Sequence, residues 1–196
     1  MTDLATRYVR PRSPDALALA REMFVRGERV DMQPLAERLG IGRTTLYRWV
    51  GDREQLLGNV LGSLADDTWL LVREQADGDG VDWAVDAIRR FLVATSTFPP
   101  LREFAEREPQ LALRVLLSSD GAVVTHLHAG ISTVLRDPRA GITREDDDHA
   151  EVIDTLVLIG TALEWTPIAI GQEPEIDRAC RLAGLVLRGL TNPEPA

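Results

Sequence analysis

Between residues 43 and 50 the chain reads Arg-Thr-Thr-Leu-Tyr-Arg-Trp-Val. Guanidiniums, hydroxyls and a phenol crowded into one short stretch are the groups that bind nucleic acid. Arginine pairs bidentately with guanine edges, threonine hydrogen-bonds a base or touches a thymine methyl, and tyrosine and threonine hydroxyls ligate phosphate. Wound as a helix at about 100° per residue, the segment divides cleanly. Leu46, Trp49 and Val50 fall on one side, Thr44 and Arg48 on the opposite side, and Arg43, Thr45 and Tyr47 on the flanks. Thr44 and Arg48 are therefore the candidates for reading bases, and Arg43, Thr45 and Tyr47 for holding phosphates. Trp49, at the edge of the apolar side, joins the DNA-binding set.

The flanking sequence supplies what such a helix needs for positioning. Asp31 can N-cap a preceding helix that runs through Leu39, with Ala36 and Leu39 on its buried side and Gln33 available as an assisting contact. Gly40-Ile41-Gly42 is a glycine-bearing turn of the length used in helix-turn-helix units. Gly51-Asp52 ends the second helix, and Asp52 with Gln55 forms a capping-box pattern for the next. The competing reading is an ordinary surface helix, but turn, caps and outward chemistry agree with one another.

Residues 35–57, LAERLGIGRTTLYRWVGDREQLL, resemble the N-terminal DNA-binding domain of TetR-family transcriptional regulators. The resemblance rests on Ala36 in the first helix, Gly40 at the turn, Thr45-Leu46-Tyr47 in the recognition helix and Leu56 early in the next. Two positions depart from the family pattern: Val50 stands where Phe is usual and Arg53 where Lys is usual. Arg53 keeps the positive charge for a phosphate. The match covers about the first third of the chain. It implies an all-α fold with a three-helix helix-turn-helix domain over 1–57, including an N-terminal arm over 1–12, and a helical ligand-binding and dimerisation domain over 58–196. It also implies a cytoplasmic, bacterial, one-component regulator. That regulator is expected to be a repressor, binding a palindromic double-stranded operator as a homodimer and released by a small-molecule effector. The alternative is a helical ligand-binding or protein-interaction module that does not use DNA.

The net charge of −9 keeps that alternative open, but the charge is unevenly spread. Residues 1–57 hold ten Arg against eight acids, and residues 58–196 hold twelve Arg against twenty-three. Positive charge thus sits with the motif, while the acidic remainder weakens non-specific attraction to DNA. Every basic side chain other than histidine is Arg; Lys is absent. Cys180 stands alone, which excludes an intrachain disulfide and zinc-finger spacing and suits a buried small hydrophobe. No secretory leader pattern opens the chain, and the longest uncharged run, Gly121–Leu135, is too short to span a bilayer, so no membrane partner is expected.

Along the chain, Ser13-Pro14-Asp15 signals a helix start and Gly27 its end. The arm before it, with Arg7, Arg10 and Arg12, either adds DNA contacts or is an inert tail. A long helix from Asp52 to about Gln75 carries Leu56, Val60, Leu64 and Leu71 at core spacing, and Asp77-Gly78-Asp79-Gly80 breaks it. Further helices are expected over 81–98, 101–108, 109–117 and 119–136. Another is expected from Thr143, capped with Asp146, to Ile170, its last turn disturbed by Pro167, and a final one over 175–190. No strand pattern or repeat interrupts the series.

Candidate sites in this second region are less sharply defined. Trp83, Phe91, Phe98, Phe104, His126 and Trp165, with Thr161 and Glu164 as polar members, describe either a small-molecule cavity or a plain core. Ile153, Leu156, Val157 and Gly160, with Ala179, Ala183, Val186 and Leu187, form apolar faces on the last two helices. They suit either a four-helix dimer interface or completion of the monomer core. His126 and His128 diverge by about 200° on a helix and cannot share one metal ion. The acidic run Asp146-Asp147-Asp148 before His149 reads as a solvated helix start. No catalytic, P-loop or dinucleotide motif is present, and no enzyme activity, cofactor or metal is expected.

Overall fold

The structure, a computed structural model, describes residues 12–142 and 148–191. The expected arm with Arg7 and Arg10, and the Thr143–Asp146 cap, lie outside the described residues. Ten α-helices account for nearly all the described chain: α1 Ser13–Val25, α2 Met32–Leu39, α3 Arg43–Val50, α4 Arg53–Gln75, α5 Gly80–Ser96, α6 Pro99–Arg107, α7 Pro109–Leu117, α8 Ala122–Leu135, α9 Asp148–Ala169 and α10 Ile176–Thr191. A 3₁₀ turn at Pro138–Ala140 follows α8.

Helices α1–α3 form one unit because each offers a single apolar stripe. Ala20 and Phe24 of α1, Leu35 and Ala36 of α2, and Leu46 and Val50 of α3 are buried together over Leu56 and Val60 of α4. Local chemistry sets the ends. The Asp15 carboxylate accepts the Arg12 backbone N–H at 2.6 Å, and the Ser13 hydroxyl donates to the Trp49 carbonyl at 3.3 Å, tying the start of α1 to the end of α3. At Asp52 the capping box forms on both sides. Its carboxylate accepts the Gln55 N–H at 2.8 Å, and Gln55 Oε1 accepts the Asp52 N–H at 3.2 Å.

Helix α4 runs unbroken from the three-helix unit into the rest of the molecule, so a boundary at residue 57 falls inside it. It packs along α8 and is crossed by α5, while α9 and α10 lie together against α5, α7 and α8. The α4–α8 approach is close because glycines stand at it. A Cβ on Gly62 would lie 2.3 Å from the His126 ring, and one on Gly130 would lie 2.2 Å from the Trp69 indole. Trp69 is in turn stacked on Phe91, with ring centres 3.9 Å apart. The stretch His149–Ala169 is long and apolar enough to cross a membrane by length and composition, but here it is built into the fold between α7, α8 and α10.

One expectation about buried faces is corrected. Leu64 is only half-buried and Leu71 is exposed, whereas Leu57, Leu61, Ala65, Trp69 and Val72 are buried alongside the expected Leu56 and Val60. On the last two helices, Ile153, Leu156, Val157, Ala179, Ala183 and Leu187 are buried within the chain itself, and Gly160 and Val186 are half-buried. The apolar groups left outward there are Leu158 and Leu185, 68% and 70% exposed.

Replacing Gly130 with alanine tests the crossing. In an open helix this change gains about 0.5–1 kcal/mol. Here the added methyl meets a ring clamped by Phe91, so urea denaturation is expected to show a loss of about 1–3 kcal/mol instead.

Candidate DNA-reading surface and ligand cavity

The reading surface is built from α2, the turn and α3. Gly40 closes α2 in the left-handed region, at φ +64°, which a residue with a Cβ rarely adopts. Its N–H bonds back to Glu37 O, and that of Ile41 to Ala36 O, so α3 departs at once in a new direction. With Leu46 and Val50 buried, the opposite face of α3 presents Arg43, Thr44 and Arg48, with Tyr47 41% exposed beside them. The Arg43 guanidinium sits 5.9 Å from the Tyr47 ring centre. Thr45 and Trp49 are half-buried at the edges. Gln33 is exposed on α2 and donates to Glu37. The first turn of α3 follows Gly42, which offers no side-chain cap; the Thr45 and Leu46 N–H groups bond to the Gly42 carbonyl, and those of Arg43 and Thr44 receive no side-chain cap. Sequence reasoning passed over that feature, although a glycine at the N-cap position is its signal.

Arg53 is placed differently from the expected phosphate ligand. Its Nη1 and Nη2 grip Glu108 Oε2 and Oε1 at 2.6 and 2.8 Å, and its Nε donates to Val30 O at 2.7 Å with Asp31 Oδ1 at 3.1 Å. Glu108 lies where α6 meets α7. Arg53 holds the Glu108 carboxyl below its ordinary pKa, and Glu108 raises that of Arg53. The guanidinium therefore fastens the reading unit to the α6–α7 corner. Phe24 meets Phe104 edge-on nearby, at 6.0 Å between ring centres.

The second feature is a partly open cavity of about 300 Å³ lined by α4 through α9. Phe91, Phe98, Thr161, Glu164 and Trp165 line it, as do Trp69, Thr95 and Leu127, which the sequence did not single out. Leu156, Val157 and Gly160, expected at a dimer face, also line it. Trp83, Phe104 and His126 do not. Trp83 is buried with Arg139 over its ring at 4.3 Å, Phe104 faces α1, and His126 Nδ1 pairs with Asp66 at 2.8 Å. His128 turns instead towards Asp154 of α9.

Glu164 is the chemically distinctive wall residue. It is 2% exposed, and Oε1 lies 2.6 Å from the Thr95 hydroxyl. Burial pushes its pKa up to about 8, against the opposing hydrogen bonds from Thr95 and Trp165. Asp67, at the cavity mouth, is bound by Arg21 of α1, which also donates to Ser63 at 3.0 Å. Outside the cavity, Asp137 is held far below the usual carboxylate range by Arg139, with Arg73 also bonded to it. Cys180 is buried, and desolvation raises its thiol.

These features define a helix-turn-helix unit joined by one continuous helix to a hollow helical domain. Residues 79–188 match the tetracyclin repressor-like C-terminal domain family. The chain is similar to the transcriptional repressor QsdR of R. erythropolis, from the TetR family. Sequence identity is 30% and TM-score 0.83, over 94% of this chain and 97% of that one. The repressor AlkX of Dietzia sp. strain DQ12-45-1b shares the fold at 19% identity and TM-score 0.64, over 93% and 97%. A TetR regulator from Rhodococcus sp. RHA1 does so at 19% and 0.58, over 92% and 95%. A search of curated proteins returns no match. The chain belongs to the TetR family of transcriptional regulators.

The raised Glu164 pKa has a direct consequence for stability. Between the ordinary value of 4.5 and about 8, the folded protein holds a proton that the unfolded chain has released. Stability from this group is complete below the ordinary value and declines as pH rises, until ionisation in the folded state is complete above about 8. In Glu164→Gln that slope is lost. The drop in unfolding free energy between about pH 5 and about pH 8, measured in urea, is expected to shrink by on the order of 3 kcal/mol.

Proposed function

We propose that the protein is a one-component transcriptional repressor that binds a palindromic operator as a homodimer and releases it when a small molecule occupies the central cavity. The observation that carries this is α3 itself: Leu46 and Val50 are sunk in the core while Arg43, Thr44, Tyr47 and Arg48 stand together on the open side. In this reading α3 enters the major groove, Thr44 and Arg48 address bases, and Arg43, Thr45 and Tyr47 hold phosphates, with Gln33 and Trp49 at the margins. The open first turn of α3 adds backbone donors for a phosphate. Arg53 is left to its role at the α6–α7 corner.

One such unit reads only a few base pairs, and a two-fold dimer doubles the contact. Leu158 and Leu185, outward on the adjacent helices α9 and α10, are the groups proposed to meet their symmetry mates. The setting is the cytoplasm, where the operator is. A ligand releases DNA only if it prefers the DNA-incompetent conformer, by a few kcal/mol for an effective switch.

Binding to the DNA flanking its own gene, compared with random DNA across a salt series, tests the reading. Tight, salt-sensitive binding to a discrete site supports it, and equal weak binding to both sinks it. Arg48→Ala is expected to cost about 1–3 kcal/mol at the preferred site and to relax sequence preference. Tyr47→Phe weakens binding to all sequences by about 1 kcal/mol. The pair Leu158→Glu and Leu185→Glu is expected to give monomers by sedimentation and to lose operator binding with them.

A further inference from the structure

Resting on the effector reading above, we propose that the cavity selects an uncharged, mainly aliphatic molecule with one carbonyl group, a ketone or ester, whose oxygen accepts a hydrogen bond from the Glu164 carboxyl. The charge of the wall is the first support. No Arg or His is among the described lining residues, so a carboxylate or phosphate would be buried without a partner and beside an acid. An ammonium ion fares no better. Asp67 at the mouth is already bound by Arg21, which leaves Glu164 as the one carboxyl facing the interior, and one of its oxygens is engaged by Thr95. Burying that pair would desolvate two charges for a single contact.

The hydroxyls supply the second support. Two threonines in the wall turn Oγ1 onto their own helices, Thr68 to Leu64 O at 2.8 Å and Thr161 to Val157 O at 2.7 Å, while Thr95, 2.9 Å from Phe91 O, gives its single proton to Glu164 Oε1 at the shorter distance of 2.6 Å. Glu164 thus has hydrogen-bonding capacity to spare; the other unpartnered wall donor, Trp69 Nε1, lies against Gly130. It is 2% exposed with no Arg or His beside it in the lining, and burial without a cation favours the protonated carboxyl near neutral pH. Thr95 donates to Oε1, and the carboxyl proton on Oε2 remains to be given to a ligand acceptor. Around that point the wall is Leu, Ile, Val, Phe and Trp, and it fits an alkyl body.

The test uses the full-length protein and three probes of matched length, 2-decanone, decylamine and decanoate, followed by calorimetric titration. The ketone is expected to bind at least ~10-fold more tightly than either charged probe. Glu164→Gln, whose amide N–H also donates, keeps the ketone affinity within ~3-fold, and Glu164→Leu loses about 5–10-fold. Circular dichroism establishes that the variants are folded; Glu164→Met, which also lacks a donor, replaces Glu164→Leu if that variant is not, and loss of ketone affinity in Glu164→Gln overturns the proposal. Tighter binding of the amine, abolished in Glu164→Gln, overturns the proposal in favour of a cation site. Tightest binding of decanoate, unchanged ketone affinity in Glu164→Leu, or no binding of any probe overturns it as well. DNA retention is measured in parallel. If the ketone binds through Glu164 without altering DNA affinity, the ligand class stands and the effector reading falls.

Discussion

Arg53 spends its planar fork on oxygens from two separated parts of the chain. Its Nε faces the Val30 carbonyl and Asp31, which lead into α2, while the two terminal nitrogens hold both oxygens of Glu108 between α6 and α7. Because Arg53 is also the first residue of α4, this one group fixes the entry to the helix-turn-helix, the start of the connecting helix and a corner of the hollow domain relative to each other. A lysine could not do this, since an ammonium lacks the bidentate geometry. Both partners are mostly buried, so separating them would leave desolvated charge on each side.

The same helix that Arg53 begins forms part of the cavity wall further along, through Leu61, Ala65 and Trp69. The helix-turn-helix unit therefore touches the hollow domain at two levels of α4: at its first turn through Glu108, and near its middle through the grip of Arg21 on Asp67 and Ser63. Leu101 of α6 lines the cavity as well, so the α6 wall and the Glu108 corner stand about two turns apart on one short helix. On the proposed function, occupancy of the cavity acts on the orientation of α3 through these two fastenings rather than through any contact with α3 itself.

The elements of the reading unit were legible because their signals are local. Pro14, Gly40, and Asp52 with Gln55 each act within a few residues, and the burial of Leu46 and Val50 follows from helical period alone. The second half of α4 was not, because it packs against α8 on one side and borders a void on another. Leu64 and Leu71 satisfy the apolar period, yet they lie at the cavity rim. Helix α9 is apolar around much of its circumference, so sequence could not say whether Leu156 and Val157 or Leu158 faced inward. Arg53 sits in a basic segment, and its partner is 55 residues away, beyond the reach of any local rule. Among the aromatic residues, Phe91, Phe98 and Trp165 converge while Trp83 and Phe104 turn to other neighbours, a distinction set by helix crossings alone.

The distribution of indoles makes the molecule its own optical instrument. Trp69 and Trp165 line the cavity, Trp49 ends the helix that faces outward, and Trp83 is shut away beneath Arg139. Excitation of the two cavity rings is sensitive to whatever displaces solvent there, while Trp49 emits from the far end of α4. Emission from the two ends is separable once Trp83 and, in turn, Trp49 or the cavity pair are replaced. Events in the cavity and at the outward helix can then be timed against each other in one cuvette without attaching a dye.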